Sequence, residues 1–328
     1  MSDVINSPVA RGQGRPADDL GALVFYSEFD EPEPWAEALQ QLLPALDFRV
    51  HPDIGNPDDV RYALVWRPKP GFFRDFKNIR LVVNLGAGVD SLTNRDDLPD
   101  VPISRLSDPG MVALMRSYVH FAVIRYARDM PEFERAKQRR DWHYIHPRPL
   151  HHTRVGILGL GALGAAVAES LAGLGFDVRG WDHAAKKVPS VTCFHDPKDW
   201  QRFVGELDIL VNMMPLTPQT RKFIGAELFD RLPRGAKFVN ASRGEVVDED
   251  ALVAALRSGH LGGATLDVFE NEPLPGDHPF WEMENVYITP HLASITVPEM
   301  ASRDVAESIR RVHQGQDPLH RIDPRKGY

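Results

Sequence analysis

The sequence predicts an α/β protein of two domains, each built on a largely parallel sheet. Short apolar runs alternate with amphipathic segments along most of the chain, the rhythm of strands joined by helices. The 328 residues exceed the roughly 100 to 200 of a single domain. A triplet of glycines stands between a strand-like run and an Ala-rich run. Apolar residues at 43% and charged residues at 26% exclude wholesale disorder, collagen and disulfide scaffolds. The net charge of −8 gives no general pull toward nucleic acid or anionic membrane, so neither is an expected partner. With Cys193 as the only cysteine, no apolar run of ~20 residues and no apolar core in the first 21 residues, a reduced, cytoplasmic setting is expected.

Residues 1–20 mix Gly, Pro, Asp and Arg without apolar period and read as a mobile tail. Strands are expected at 22–26, 62–66 and 79–84, with an amphipathic segment at 35–43. The turn-like Asp108-Pro109-Gly110 precedes the longest helix candidate, 111–128. From Arg154 the pattern becomes regular. Strands are expected at 155–158, 177–181, 208–213, 236–240, 264–268 and 286–289, and helices at 162–174 and 249–257. This is the pattern of a Rossmann-type doubly wound parallel sheet. A last helix, 298–313, is long enough to cross back to the first domain. The expected division is therefore 21–108 plus 292–328 for one domain and 109–291 for the dinucleotide-binding domain.

GLGALG at 159–164 follows the strand RVGIL and opens a helix. Gly159, Gly161 and Gly164 allow a tight turn, close approach of a pyrophosphate and close helix-on-strand packing, and Ala162 and Leu163 begin the helix whose N-terminus attracts the anion. Asp182 lies 18 residues past the third glycine, at the end of the next strand, where a carboxylate accepts ribose hydroxyls and repels a 2′-phosphate. NAD(H) is therefore favoured. His183, Lys186 and Lys187 keep NADP(H) open, since they offer charge to that phosphate. Three further strand ends carry polar chemistry: Arg243-Gly244, the run 270–275 with Glu272, and His291. All lie at the carboxyl edge of the expected sheet, where such sheets bind ligands. No cluster has metal-ligand spacing, and no metal is expected.

In this order the motifs resemble the D-isomer-specific 2-hydroxyacid dehydrogenase family. They are LGAGVD at 85–90, GLGALG at 159–164, PLTPQT at 215–220, NASRG at 240–244, LDVFENEPLP at 266–275 and TPHLAS at 289–294. Within that family, YALVWRP at 62–68, NLGAGVDSL at 84–92 and the closing RKGY are most like the glyoxylate/hydroxypyruvate reductase A group. The resemblance implies a flavodoxin-like α/β substrate domain beside the cofactor domain, and reduction of a small 2-oxo acid by a nicotinamide cofactor. It makes Arg243 the anchor for substrate carboxylate and carbonyl, Glu272 the orienting carboxylate and His291 the acid-base, roles that suit their chemistry. The backbone at Leu85, Gly86, Ala87 and Gly88 would receive the substrate carboxylate. Pro215 and Ala241 would line the cofactor, and Asp267 would bind the nicotinamide carboxamide. A homodimer built on 111–128 is implied, with Trp142 near the partner's site.

Two departures stand out. Arg116-Ser117-Tyr118 replaces a Glu that many relatives carry, and Asp182-His183 stands where the closest group often has Ser-Arg. A formate dehydrogenase shares this architecture but carries Gln where Glu272 stands. A dinucleotide-sensing corepressor-like scaffold is the alternative from a different class.

Overall fold

The computed structural model describes residues 20–93 and 95–323; the expected tail, apart from Leu20, and the closing RKGY lie outside the described residues. The first sheet is built from β1 (Ala22–Tyr26), β2 (Asp47–Val50), β3 (Val60–Val65), β4 (Leu81–Asn84) and β5 (Ile103–Arg105), with α1 (Pro32–Leu42) between β1 and β2. After α2 (Pro109–Ala127) and α3 (Met130–Arg139) come β6 (Arg154–Leu158), α4 (Ala162–Gly173), β7 (Asp177–Trp181), β8 (Thr192–Phe194) and α5 (Trp200–Val204). The chain continues through β9 (Ile209–Asn212), α6 (Ala226–Arg231), β10 (Lys237–Asn240), α7 (Glu249–Arg257), β11 (Gly263–Leu266), β12 (Val286–Ile288) and α8 (Pro298–His313).

The first sheet runs β2-β1-β3-β4-β5 and the second β12-β11-β10-β9-β6-β7-β8, with parallel pairing throughout. The first is the flavodoxin-like order, and the second is a Rossmann order extended by one strand. In each, the strand order reverses once, between β1 and β3 and between β6 and β9. Ligands of open parallel sheets bind outside the carboxyl ends at such a point.

Burial on both faces explains why these strands read as continuous apolar runs rather than alternating ones. Along β1, Leu23 and Phe25 join Trp35 and Leu39 of α1 and Val305 and Ile309 of α8, while Ala22 and Val24 face Phe73 and Phe76 on the other side. The last helix thus returns to the first sheet. In the second sheet Val155, Ile157 and Val211 pack with α2 and α4, and Leu158, Leu210 and Phe238 pack with α6 and α7. The long helix begins earlier than its apolar pattern suggests, because Asp108 caps it by accepting hydrogen bonds from the N–H groups of Gly110 (2.8 Å) and Met111 (3.2 Å). Among the described residues no helix is long and apolar enough to cross a membrane.

Candidate active site

Three strands end in a buried asparagine, and each asparagine shapes the loop that follows. Asn84 closes β4 and donates from Nδ2 to the carbonyls of Gly86 and Gly88, both at 2.8 Å. Leu85 and Val89 anchor this loop in the core, while Ala87 and Gly88 stay partly open. Among the described residues, Gly86, Ala87 and Gly88 donate their N–H groups to no protein acceptor. Successive unused N–H groups form a concavity suited to a small anion. Behind it, Arg105 donates to the Ala87 carbonyl at 3.4 Å, and burial pushes its guanidinium below the usual arginine range. Asn212 and Asn240 close β9 and β10 and hydrogen-bond each other at 3.0 Å; Asn240 Nδ2 also donates to the Arg243 carbonyl at 3.1 Å.

Arg243 is thereby carried to the cleft, where Nε donates to Asp90 Oδ1 at 2.9 Å and Nη1 to the Ser242 carbonyl at 2.8 Å. Its Nη2 comes within 1.8 Å of where a Cβ on Gly88 would lie, so the guanidinium rests on the anion loop. Gly244 is required for a different reason. A Cβ there would come within 1.8 Å of the Phe269 carbonyl carbon, so only glycine lets the Arg243 turn press against the turn that carries Glu272.

Glu272 Oε2 and His291 Nδ1 are 2.8 Å apart, and Glu272 Oε1 accepts from the Phe269 N–H at 3.1 Å. Arg67, at the far side of the cleft, donates to the same Oε2 from Nη1 at 3.3 Å and Nη2 at 3.4 Å. Burial pushes the Glu272 carboxyl up, but the hydrogen bond and charge of His291, the Phe269 N–H and the Arg67 charge outweigh it and leave it below the usual carboxylate range. An ionised Glu272 makes Nδ1 the donor and leaves Nε2 as the ring nitrogen for proton exchange. His291 itself has φ +55°, a left-handed conformation that costs a non-glycine residue free energy. Asp267 holds it there. Its Oδ1 accepts from Thr289 Oγ1 (2.6 Å) and the Leu292 N–H (2.9 Å), its Oδ2 from the Ala293 N–H (2.8 Å), and its carbonyl from the His291 N–H (2.8 Å). Tyr118 of α2 extends this chain, its hydroxyl 2.6 Å from Thr289 Oγ1, and burial raises its pKa far above the ordinary tyrosine value.

At the second sheet's switch point, Gly159 has φ +92°, and a Cβ on it would come within 2.8 Å of the Met213 carbonyl oxygen. A Cβ on Gly161, by contrast, would meet nothing within 4 Å. Open space therefore faces the N-terminus of α4, whose first N–H groups lack helical acceptors, and this fits a dinucleotide pyrophosphate. Ala162 and Leu163 lie at that turn, with Pro215 and Ala241 just past the ends of β9 and β10.

Asp182, at the end of β7, is buried: Oδ2 accepts from the Leu160 N–H at 3.0 Å, Oδ1 accepts from the Ala184 N–H at 3.1 Å, and His183 Nδ1 lies 3.1 Å from Oδ1. The preference for NAD(H) read from it loses its support. Trp142 is 99% exposed on an irregular stretch after α3 and packs on nothing in its own cleft. Arg67, Asp90 and the three strand-end asparagines were not singled out from the sequence. An apolar run stopped by Asn is the signal that could have found the last group.

A glycine-rich turn opening a helix, with an arginine and a histidine–carboxylate pair past other strands of the same sheet, defines a dinucleotide-dependent oxidoreductase. The chain belongs to the D-isomer specific 2-hydroxyacid dehydrogenase family, whose NAD binding domain model matches residues 121–293. It is 37% identical to glyoxylate/hydroxypyruvate reductase A of Yersinia enterocolitica over 312 residues, covering 93% of this chain and 99% of the relative. A D-isomer specific 2-hydroxyacid dehydrogenase from Xanthobacter autotrophicus, solved with NADPH and MES, is 55% identical with a TM-score of 0.90, covering 94% of this chain and 99% of that one. The NADPH-dependent glyoxylate/hydroxypyruvate reductase of Sinorhizobium meliloti, solved with NADP and sulfate, is 33% identical with a TM-score of 0.88, covering 94% and 100%.

Gly161→Val tests the cradle apart from the fold. The valine fits without backbone change but fills the space before α4, so the dissociation constant for NADPH, read by fluorescence titration, should rise about tenfold or more, about 1.4 kcal/mol, while the melting temperature holds.

Proposed function

We propose that this enzyme reduces small 2-oxo acids, glyoxylate and hydroxypyruvate among them, to 2-hydroxy acids. The observation that carries the reading is the convergence on one cleft of an anion loop from the first sheet and Arg243 with the Glu272–His291 pair from the second. The names of the relatives agree with it. The substrate carboxylate would sit on the N–H groups of Gly86, Ala87 and Gly88, within reach of Arg243. The reduced nicotinamide, when bound, supplies the hydride. Protonated His291 gives its proton to the carbonyl oxygen, and Arg243, clamped by Asp90, stabilises the charge that develops there. Asp267 Oδ2 has one protein donor and keeps acceptor capacity for the carboxamide.

The cofactor we infer is NADPH. With Asp182 buried and bonded to backbone and to His183, the exposed Lys186 and Lys187 supply positive charge beside the adenosine ribose, and they favour a 2′-phosphate. The neighbours solved with NADP or NADPH point the same way. We also read the chain as a homodimer. Phe121 of α2 and Leu292 beside the active-site turn are exposed and line one depression, and Ile124 and Ile295 are exposed as well, apolar surface that a second copy would cover. Trp142 would then lie at the partner's cleft.

In an assay of glyoxylate and hydroxypyruvate against both cofactors, turnover is expected with each acid and kcat/KM should be higher with NADPH. Equal or better use of NADH would overturn the cofactor assignment. Glu272 is held below the usual carboxylate range, so it stays ionised well into acid and reduction should be lost only as pH falls through that lowered range. Glu272→Gln keeps the shape without the carboxyl, so kcat should fall and this acid limb should vanish. An acid limb unchanged in Glu272→Gln, where chemistry limits the rate, would break the proposed role of Glu272.

A further inference from the structure

The first sheet reverses its strand order between β1 and β3, and the residues just past β3 are Trp66 and Arg67. Arg67 stands at that switch point with φ +44° and its guanidinium 5.6 Å from the centre of the Trp66 ring. Trp66 lies against the anion loop, since a Cβ on Gly86 would come within 2.5 Å of its ring. Trp66 thus stands between Arg67 and the Gly86 side of the loop, while Arg243 rests on the Gly88 side.

The charges in the cleft do not cancel. Arg243 is matched by Asp90 at 2.9 Å and His291 by Glu272 at 2.8 Å, and the neighbouring Lys69 is taken by Glu28 at 2.8 Å. Arg67 has only a share of the Glu272 oxygen that His291 already uses, at 3.3 Å, and its side chain is 36% exposed. Among the described residues on the substrate side of the cleft, Arg67 and Arg105 are cations without a carboxylate of their own, and Arg105 lies behind the loop whereas Arg67 stands at its open border. Beyond its share in keeping Glu272 ionised, the reduction as derived above gives Arg67 no task.

We propose that Arg67 determines specificity by receiving an oxygen acceptor on C3 of the substrate, a hydroxyl or a carboxylate, while the C1 carboxylate occupies the loop. The assignment rests on the 2-oxo acid reading of the cleft. A planar fork of donors with a loosely held partner matches such an acceptor, most of all a carboxylate. A site built to hydrogen-bond a substituent rejects the analogue that lacks it.

The test compares kcat/KM for pyruvate, hydroxypyruvate, oxaloacetate and glyoxylate at saturating NADPH. In Arg67→Met the preference for hydroxypyruvate over pyruvate, and still more for oxaloacetate over pyruvate, should fall about tenfold or more, chiefly through KM. Arg67→Lys keeps the charge without the fork and should retain part of the oxaloacetate preference. Cofactor titration of both variants should match the wild type, and should Arg67→Met fail to fold, the lysine variant alone decides by an intermediate ratio. Ratios unchanged within about twofold, or an equal fall for all four acids, would overturn the assignment and leave Arg67 serving Glu272 alone. A wild-type enzyme that reduces none of the four overturns the reductase reading itself.

Discussion

The contact between Asp90 and Arg243, 2.9 Å across the cleft, joins the two sheets at the site, with that between Arg67 and Glu272 at 3.3 Å beside it. The anion loop stands on one sheet and the Glu272–His291 pair on the other. Asp90 follows the anion loop on the first sheet, and Arg243 follows β10 on the second. The pair is mostly shielded from water, with side chains 12% and 22% exposed, so losing either partner strands a charge rather than merely removing a bond. Gly88 and Gly244 make the contact possible by leaving room for the guanidinium on one side and for the Phe269 backbone on the other.

The rest of the site depends on that alignment. The turn pressed against Gly244 carries Glu272, and Glu272 fixes the ring of His291. His291 is held in a costly backbone conformation by hydrogen bonds that begin at Asp267 and continue through Thr289 to Tyr118 of α2. Strain held by surrounding structure is a common property of catalytic turns, because it spares the reacting group from reorganising. α2, which packs on α4 and on the second sheet, is thus linked by hydrogen bonds through Thr289 and Asp267 to the turn that carries His291.

Local features were readable in the sequence, and long-range ones were not. The β6–α4 glycine turn is a strand, three glycines and a helix within a few residues, so spacing alone revealed it. The alternation of strands and helices also predicted two parallel-sheet domains and the doubly wound character of the second. Strands β2, β5 and β8 have only three or four residues, too few to establish a period, and the polar α3 offers little apolar stripe. Asp182 has neighbours that spacing does not show. Its position after β7 suits a ribose ligand, but the same position lets its carboxylate cap the Leu160 and Ala184 N–H groups. Arg67 and Asp90 meet partners 205 and 153 residues away, and no local pattern encodes such pairings.

The central claim is that a proton held on His291 by Glu272 reaches the substrate oxygen as hydride arrives at carbon. Single-turnover oxidation of bound NADPH by glyoxylate in His291→Asn addresses it most directly, because product release drops out of the rate. The rate should fall by roughly 10² to 10⁴ fold, the scale for loss of a positioned acid-base, with NADPH affinity within about twofold of the wild type. A rate within about threefold of the wild type would contradict the account.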